Sequence, residues 1–383
     1  MIKKRKLNRL FTLSIFSVSI LSVANISGVI PGPVSVEKVI ETLRDVGTSS
    51  YLNLSKQPFL VGELSSNSLF FARKHPDIFQ DNQGVLEIKP GVHDIDFPIN
   101  LDGSLLIQPG TTLNFSANSY LLVRGALTAL GSSDAPVVLR GQKDQLWKGI
   151  YVHDAGNLSE LDHVIISDTT AFEDGYLKLT GGVTFYKSAL KITNSDFKNS
   201  VAEDGLNIIN SEFSLAHTRF ENMRSDALDS DFSQGSINNG VFHTIGGDAI
   251  DLSGTRSWIQ SPQITSVHDK AISAGENSTV DVIGGSVRSV GVAAASKDGS
   301  LVKISETRID DVTLFGLMTY IKKSSYSFPT LEAHNLFWGE GSAGPAANNW
   351  IRQAGTVLTV DGHNVVEETV DVKALYKGAV MSK

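Results

Sequence analysis

Two short echoes, DALD at residues 226–229 and DAID at 248–251, place Asp226 and Asp248, and likewise Asp229 and Asp251, 22 residues apart. Asp231 adds a fifth acid two positions beyond Asp229. Paired carboxylates suit three tasks. One partner can hold a proton while the other stays ionised, which is the acid–base arrangement used on glycosidic bonds. Several carboxylate oxygens can instead surround a hard cation such as Ca²⁺. Aspartates can also do no more than satisfy backbone N–H groups in tight turns. Basic residues keep the same register: Lys270 follows Asp248 by 22 residues, His268 stands just before it, and Arg224 precedes Asp226.

The interval itself names the element that must carry these groups. DGLNI (204–208), DALDS (226–230), DAIDL (248–252) and KAISA (270–274) align at a constant step of 22. The alignment extends back to GVTFY (182–186) and forward to VAAAS (292–296) and LFGLM (314–318). A second column, Phe197, Phe220, Phe242, Ile264, Val287 and Ile309, steps by 23, 22, 22, 23 and 22. Short alternating apolar runs separated by Gly, Asn, Asp and Ser read as strands and turns. A repeat of this length made of strands predicts an all-β fold, a single-stranded right-handed parallel β-helix in which each coil stacks on the last and both ends need covers. The leucine–asparagine template of leucine-rich repeats, which share the length, is absent.

Alternation within the strand assigns the side chains. Leu206, Leu228, Ile250 and Ile272 point inward, with Ile208 and Leu252 two residues on. Phe185, Asn207, Asp229, Asp251, Ser273 and Ala295 then form an outward column, with Asp231 outward on its own strand. Neighbouring strands lie about 4.8 Å apart, so Asp229 and Asp251 repel unless a cation, a shared proton or basic neighbours relieve them. Asp204, Asp226 and Asp248 fall at strand starts, where turn duty is the simpler reading. The candidates for chemistry are therefore Asp229 and Asp251 as acid and base, with Lys270 or His268 as proton acceptor. Asp229, Asp231 and Asp251 form a candidate Ca²⁺ set, and Asn207, Asp231, Arg224 and Lys297 are candidate substrate contacts. Tyr186, Trp258 and Tyr320 are aromatic rings that can stack on sugars or simply pack.

LLIQPGTTLNF (105–115), YLLVRGALTALGS (120–132), APVVL (135–139) and WKGI (147–150) resemble the opening coils of right-handed parallel β-helix repeat proteins of the pectate-lyase-like superfamily. The later stretch, with GGVTFYKS (181–188), AEDGLNI (202–208), SDALDSDF (225–232), GGDAIDLSG (246–254), DKAISAGE (269–276), ASKDGS (295–300) and YIKKSSY (320–326), resembles as a whole an uncharacterised bacterial group of such proteins, some of them associated with CotH-type kinase-like proteins. The resemblance spans roughly residues 85–330 and implies the fold. It leaves the reaction open, because the fold hosts lyases, hydrolases, epimerases and inert scaffolds. The aspartates with Lys270 look like the cluster of calcium-dependent β-helix lyases, which set a basic residue on a nearby coil, although the motif here is Asp-Ala-Ile-Asp, without an adjacent Asp-Asp pair. The Gly-His-Gly and Arg-Ile-Lys motifs of polygalacturonases and the Asp-Pro-His-Asp motif of alginate epimerases are absent.

Bulk properties narrow the rest. The 383 residues carry a net charge of −8, which argues against a nucleic-acid partner. No cysteine occurs, so disulfides and thiolate metal sites are excluded. The histidines lack metal-ligand spacing, and neither a phosphate loop nor a Gly-x-Ser-x-Gly elbow is present. Lys3, Lys4, Arg5, Lys6 and Arg9 precede an apolar run from Leu10 to Ala24, which reads as a signal peptide over 1–24. A membrane anchor extending to about residue 30 is the alternative. Loss of those five basic residues takes the charge from −8 to −13. Either reading places the remainder outside the cytoplasm. Residues 25–84 then form a helical capping segment, with helices expected over 35–46 and 68–74. The β-helix occupies 85–341, and 342–383 is a terminal cap with a hairpin at Asp361-Gly362. Three classes of function stay open: an exported enzyme of lyase or glycosidase type acting on a polysaccharide, a non-catalytic glycan-binding scaffold of the envelope, and a kinase-associated accessory protein.

Overall fold

The computed structural model describes residues 66–339 and 350–377. The basic and apolar stretch of 3–24, the helix expected over 35–46 and part of the tail lie outside them. The chain from residue 79 onward winds into a parallel β-solenoid of about 12 turns with about 23 residues per turn. Among the described residues, no helix is long and apolar enough to cross a membrane.

Each full coil contributes strands to three faces. The first face runs from Val85–Ile88 through strands such as Leu190–Thr193, Glu212–Ala216 and Gln234–Asn238 to Val357–Val360. The second includes Asp196–Lys198, Arg219–Met223 and Val241–Ile245. The third includes Gly181–Tyr186, Asp204–Ile209, Asp226–Asp231 and Ile250–Ser253. Further along, single strands such as Gln263–Gly275 bend around a corner and serve the second and third faces in turn.

The two apolar columns fill the interior. Leu206, Leu228, Ile250 and Ile272 pair in register and are fully buried. Phe197, Phe220, Phe242, Ile264, Val287 and Ile309 do the same on the second face. There the three phenylalanine rings stack with centroids 5.0 Å apart at each step. Two alignments need correction by one residue. Thr184, not Phe185, pairs with Asn207, and Phe185 is buried opposite Ile208. Phe315, not Leu314, pairs with Val292. Both coils hold 23 residues, and at the latter the ladder shifts register between Val290 and Val292.

The corners explain the abundance of Asn, Gly and Ser. Between the third and first faces, Lys187, Asn210, Phe232, Gly254, Glu276 and Asp298 all adopt left-handed backbone conformation. Asn194, His217, Asn239 and Ser261 do so at the next corner, and Asn199, Asn222, Thr244 and Ser266 at the third. Such positions favour residues without a bulky side chain. Just past the first of these corners runs a hydroxyl ladder. Backbone N–H groups of Ser188, Ser211, Ser233, Thr255 and Ser278 each donate to the hydroxyl one coil on, at 2.9–3.1 Å, ending at Ser300.

Antiparallel hairpins blunt both ends of the first face, where an open strand edge would invite pairing. Phe79–Asn82 folds on Val85–Ile88 around Gln83-Gly84, and Val357–Val360 folds on His363–Asn364 around Asp361-Gly362. All four turn residues have positive φ, as a two-residue type I′ turn requires. Helix Ser68–Lys74 packs Phe71 against Phe79 and stops before Pro76, which disfavours helical conformation in His75.

Candidate acidic site on the third face

A slip in strand alternation builds the site. Asp204 pairs with Asp226, and Leu206 with Leu228, but the residue between is skipped on both strands. Ala227, Ala249 and Ala271 are fully buried beside Leu228, Ile250 and Ile272, so two successive residues face inward. The aspartate before Ala227 and that before Ala249 are thereby turned to the same side as the acid three residues later. Oxygens of Asp226, Asp248 and Asp251 all lie within 4.8 Å of one another. Strict alternation had assigned Asp226 and Asp248 to the turns. The small residue at 227, 249 and 271 was the sequence signal for the slip.

The outward column of the third face reads Thr184, Asn207, Asp229, Asp251 and Ser273, each paired with the next. Asp229 and Asp251 are partly exposed, whereas Thr184, Asn207 and Ser273 are buried. Asn207 Nδ2 donates to Asp204 Oδ2 at 3.0 Å and to Asp229 Oδ2 at 3.4 Å. Thr184 Oγ1, Asn207 Oδ1 and Ser273 Oγ, all in this column, have no hydrogen-bond partner among the described residues. Buried polar atoms of that kind are uncommon and call for an explanation.

The first aspartates carry backbone duties as well. Asp226 Oδ1 accepts from the N–H of Asp248 at 2.8 Å, and Asp248 Oδ1 accepts from that of Lys270 at 2.9 Å. Lys270 ends the aspartate column by reaching back along it. Its buried ammonium donates to both oxygens of Asp248, at 3.0 and 3.4 Å, and to Asp269 at 2.5 Å. Burial alone would lower the lysine's pKa, but Asp248, Tyr320 and Asp269 together hold it above its ordinary value. At neutral pH Lys270 is a cation and has no lone pair with which to accept a proton.

Lys297 supplies the second internal cation. Its Nζ lies 3.7 Å from Asp251 Oδ1, two coils back, and its side chain passes over Gly275. A Cβ at position 275 would sit 3.5 Å from Lys297 Cε, so a long side chain there would displace the lysine. Lys297 is buried rather than solvated.

Three other acids are raised above the ordinary carboxylate range. Burial, followed by the charges of Asp204, Asp231, Asp251 and Asp226, pushes Asp229 well above the usual carboxylate range. Burial, with Asp204 and Asp251, raises Asp231 to about 6 against an opposing pull from Lys323. Asp269 also rises to about 6, through burial and Asp248.

Two segments wall the acidic floor. Upstream, residues 172–179 fold over the outward side of the third face. Phe172 meets Tyr120 at 4.8 Å and Tyr151 at 5.9 Å between ring centroids, and the Tyr120 hydroxyl donates to Asp174 at 2.6 Å. Downstream, Val372, Leu375 and Tyr376 pack on Val292, Ala295, Met318 and Tyr320. The hydroxyls of Tyr320 and Tyr376 lie 2.6 Å apart. Between the walls, the column from Thr184 to Ser273 covers about 19 Å at the usual strand spacing.

Asn207, Asp229, Asp231, Asp251, Lys270 and Lys297 thus share one site. Arg224 and His268 stand exposed at the corner between the second and third faces. His268 lines a shallow depression there with Met223, Ile245 and Val267. Trp258 is on the first face, Tyr320 is buried beneath Tyr376, and Tyr186 keeps a partly exposed place two residues beyond Thr184. The three carboxylates that the fold gathers most closely share only Asp251 with the expected Ca²⁺ set. One of them, Asp248, already has both oxygens on Lys270.

No family model matches the chain, and no curated protein matches it. Among solved structures it is similar to the periplasmic alginate epimerase AlgG, at 12% identity over 76% of this chain and 80% of that one, with a TM-score of 0.38. It is also similar to the catalytic unit of a GH87 α-1,3-glucanase from Streptomyces thermodiastaticus strain HF3-3, at 12% identity over 68% and 64% with a TM-score of 0.34. A third is the Acinetobacter phage vb_AbaP_AS12 gp42 tailspike, at 9% identity over 71% and 58% with a TM-score of 0.30. Similarity at this level carries no inference about activity.

Proposed function

We propose that this chain is an exported carbohydrate-active enzyme that cleaves a glycan by acid–base chemistry at Asp229 and Asp251. The observation that carries the reading is a pair of carboxyl groups directly opposite one another on adjacent strands, one of which, Asp229, is pushed well above the usual carboxylate range by burial and by its acidic neighbours. Asp229 donates its proton to the glycosidic oxygen. Asp251, with Lys297 beside it, acts as the ionised partner that activates water or attacks the anomeric carbon. A hydrolase is favoured over a lyase because Lys270, the expected base, is locked as a cation between Asp248 and Asp269. The two lysines also provide the positive charge for which Ca²⁺ was a candidate. Export rests on the basic and apolar N-terminal stretch.

The test is a screen of the purified chain against neutral and acidic polysaccharides for new reducing ends, repeated with Asp229→Asn and Asp251→Asn. Hydrolysis that either substitution lowers by about 10²-fold or more supports the assignment. Activity is expected to fall as pH rises through the Asp229 pKa, because the acid must be protonated. Unsaturated products would return the lyase reading, and glycan binding without turnover would make the chain a scaffold.

A further inference from the structure

At the left-handed corner beside the acidic floor, successive coils place Lys187, Asn210, Phe232, Gly254, Glu276 and Asp298. Five of these are polar or glycine. Phe232 is the aromatic exception, with φ of 50° and 62% of its surface exposed. An aromatic residue in this conformation is a steric outlier, and sites that keep such strain are often functional. The ring belongs to none of the hydrophobic clusters among the described residues. It rests instead on Gly254 of the next coil, where a Cβ would come 2.6 Å from Phe232 Cδ1 and 2.9 Å from Cε1. A strained and exposed ring of this kind adds little to the core. Glycine beneath it leaves the space it occupies.

Its position relative to the acids gives the ring a use. Asp231 directly precedes it, and Asp229 lies three residues back, about 10 Å along the strand. A pyranose presents an apolar C–H face rimmed by hydroxyls, which an aromatic ring beside carboxyl groups complements. The walls at residues 172–179 and 372–376 close the floor along the solenoid axis. Along the strands it is bounded by Phe232 at one end and the His268 depression at the other.

We propose that Phe232 is a stacking platform for a pyranose ring, so that the glycan crosses the third face transverse to the solenoid axis. The inference rests on the glycan reading above and adds a binding subsite to it. Calorimetric titration of the wild-type chain with maltoheptaose, laminariheptaose and hexagalacturonate, followed by Phe232→Asn and Phe232→Tyr, tests it. Asparagine tolerates the left-handed corner, so Phe232→Asn should hold or raise Tm while weakening glycan binding roughly tenfold. Phe232→Tyr should keep the affinity. Equal binding by the wild type and Phe232→Asn overturns the platform and leaves the functional reading standing. A fall in Tm with the asparagine variant shows that the ring is structural and overturns it as well. No binding of any of the three sugars by the wild type overturns the functional reading, and the subsite with it.

Discussion

Two polar ladders climb this solenoid with the same step, and they meet opposite fates. The hydroxyl ladder, Ser188 to Ser300, and the aspartate column, through Asp226 and Asp248, both accept backbone N–H groups from a neighbouring coil. A hydroxyl also donates. Ser211, Ser233 and Thr255 each pass a hydrogen bond at 2.8 Å to a backbone carbonyl. Such a ladder is neutral and can repeat without limit. A carboxylate only accepts, and each added rung places another like charge about 4.8 Å from its neighbour. The aspartate column ends after three rungs, with Lys270 in the fourth place. A hydroxyl meets the backbone's need without charge, so the second ladder carries a repulsion that the first does not.

The largest break in this comparison comes from the lysine that ends the charged column. Lys270→Met leaves Asp248 and Asp269 buried without their cation, and loss of one partner from a buried ion pair typically costs about 3–5 kcal/mol. Urea denaturation should show a loss of that order. Adding Asp248→Asn to Lys270→Met should recover part of it. If Lys270→Met alone is as stable as the wild type, the lysine is not the counter-ion that lets the column exist.

Removing one rung of the neutral ladder should cost less. Ser233→Ala leaves the buried Ser211 N–H without its acceptor, at a cost of about 1–3 kcal/mol. The loss should be the same at pH 5 and pH 7.5, because no titrating group is involved. A loss that varies with pH would mean that the hydroxyl and carboxylate ladders are coupled through Asp231, whose carbonyl Ser233 caps.

Legibility in the sequence followed the same divide. The solenoid, the inward columns and the terminal hairpin could be read directly, because apolar periodicity and a turn dipeptide are local signals. The site could be read only in part. Asp229, Asp251, Asp231 and Asn207 followed from strand alternation, which failed for Asp226 and Asp248 where a second inward residue, Ala227 or Ala249, interrupts it. Lys297 was a candidate contact, but its reach to Asp251 was hidden, because it depends on the absence of a side chain at Gly275. The walls were hidden for a further reason. Phe172 and Tyr376 lie in segments with no period, and their partners, Tyr120 and Tyr320, are far away in the chain.

The smallest expected effect separates the ladders most cleanly, because it is a slope rather than a loss. An exposed aspartate titrates near 3.8, and the fold raises Asp231 to about 6. Between those values the folded chain holds a proton that the unfolded chain releases, so this group favours folding at low pH. Its contribution is lost as pH climbs through about 6. Asp269 behaves in the same way, and Asp229 extends the decline to higher pH. Tm should therefore fall between about pH 4 and pH 7 through these groups. Asp231→Asn removes one titrating member and should flatten that fall, with the variant gaining on the wild type at the alkaline end. Ser233→Ala, two residues away, should shift the whole curve down and leave its slope unchanged. If Asp231→Asn and the wild type run parallel across this range, the carboxylates are screened from one another. The charged column would then be no more frustrated than the neutral one, and the case for a proton held at Asp229 would weaken with it.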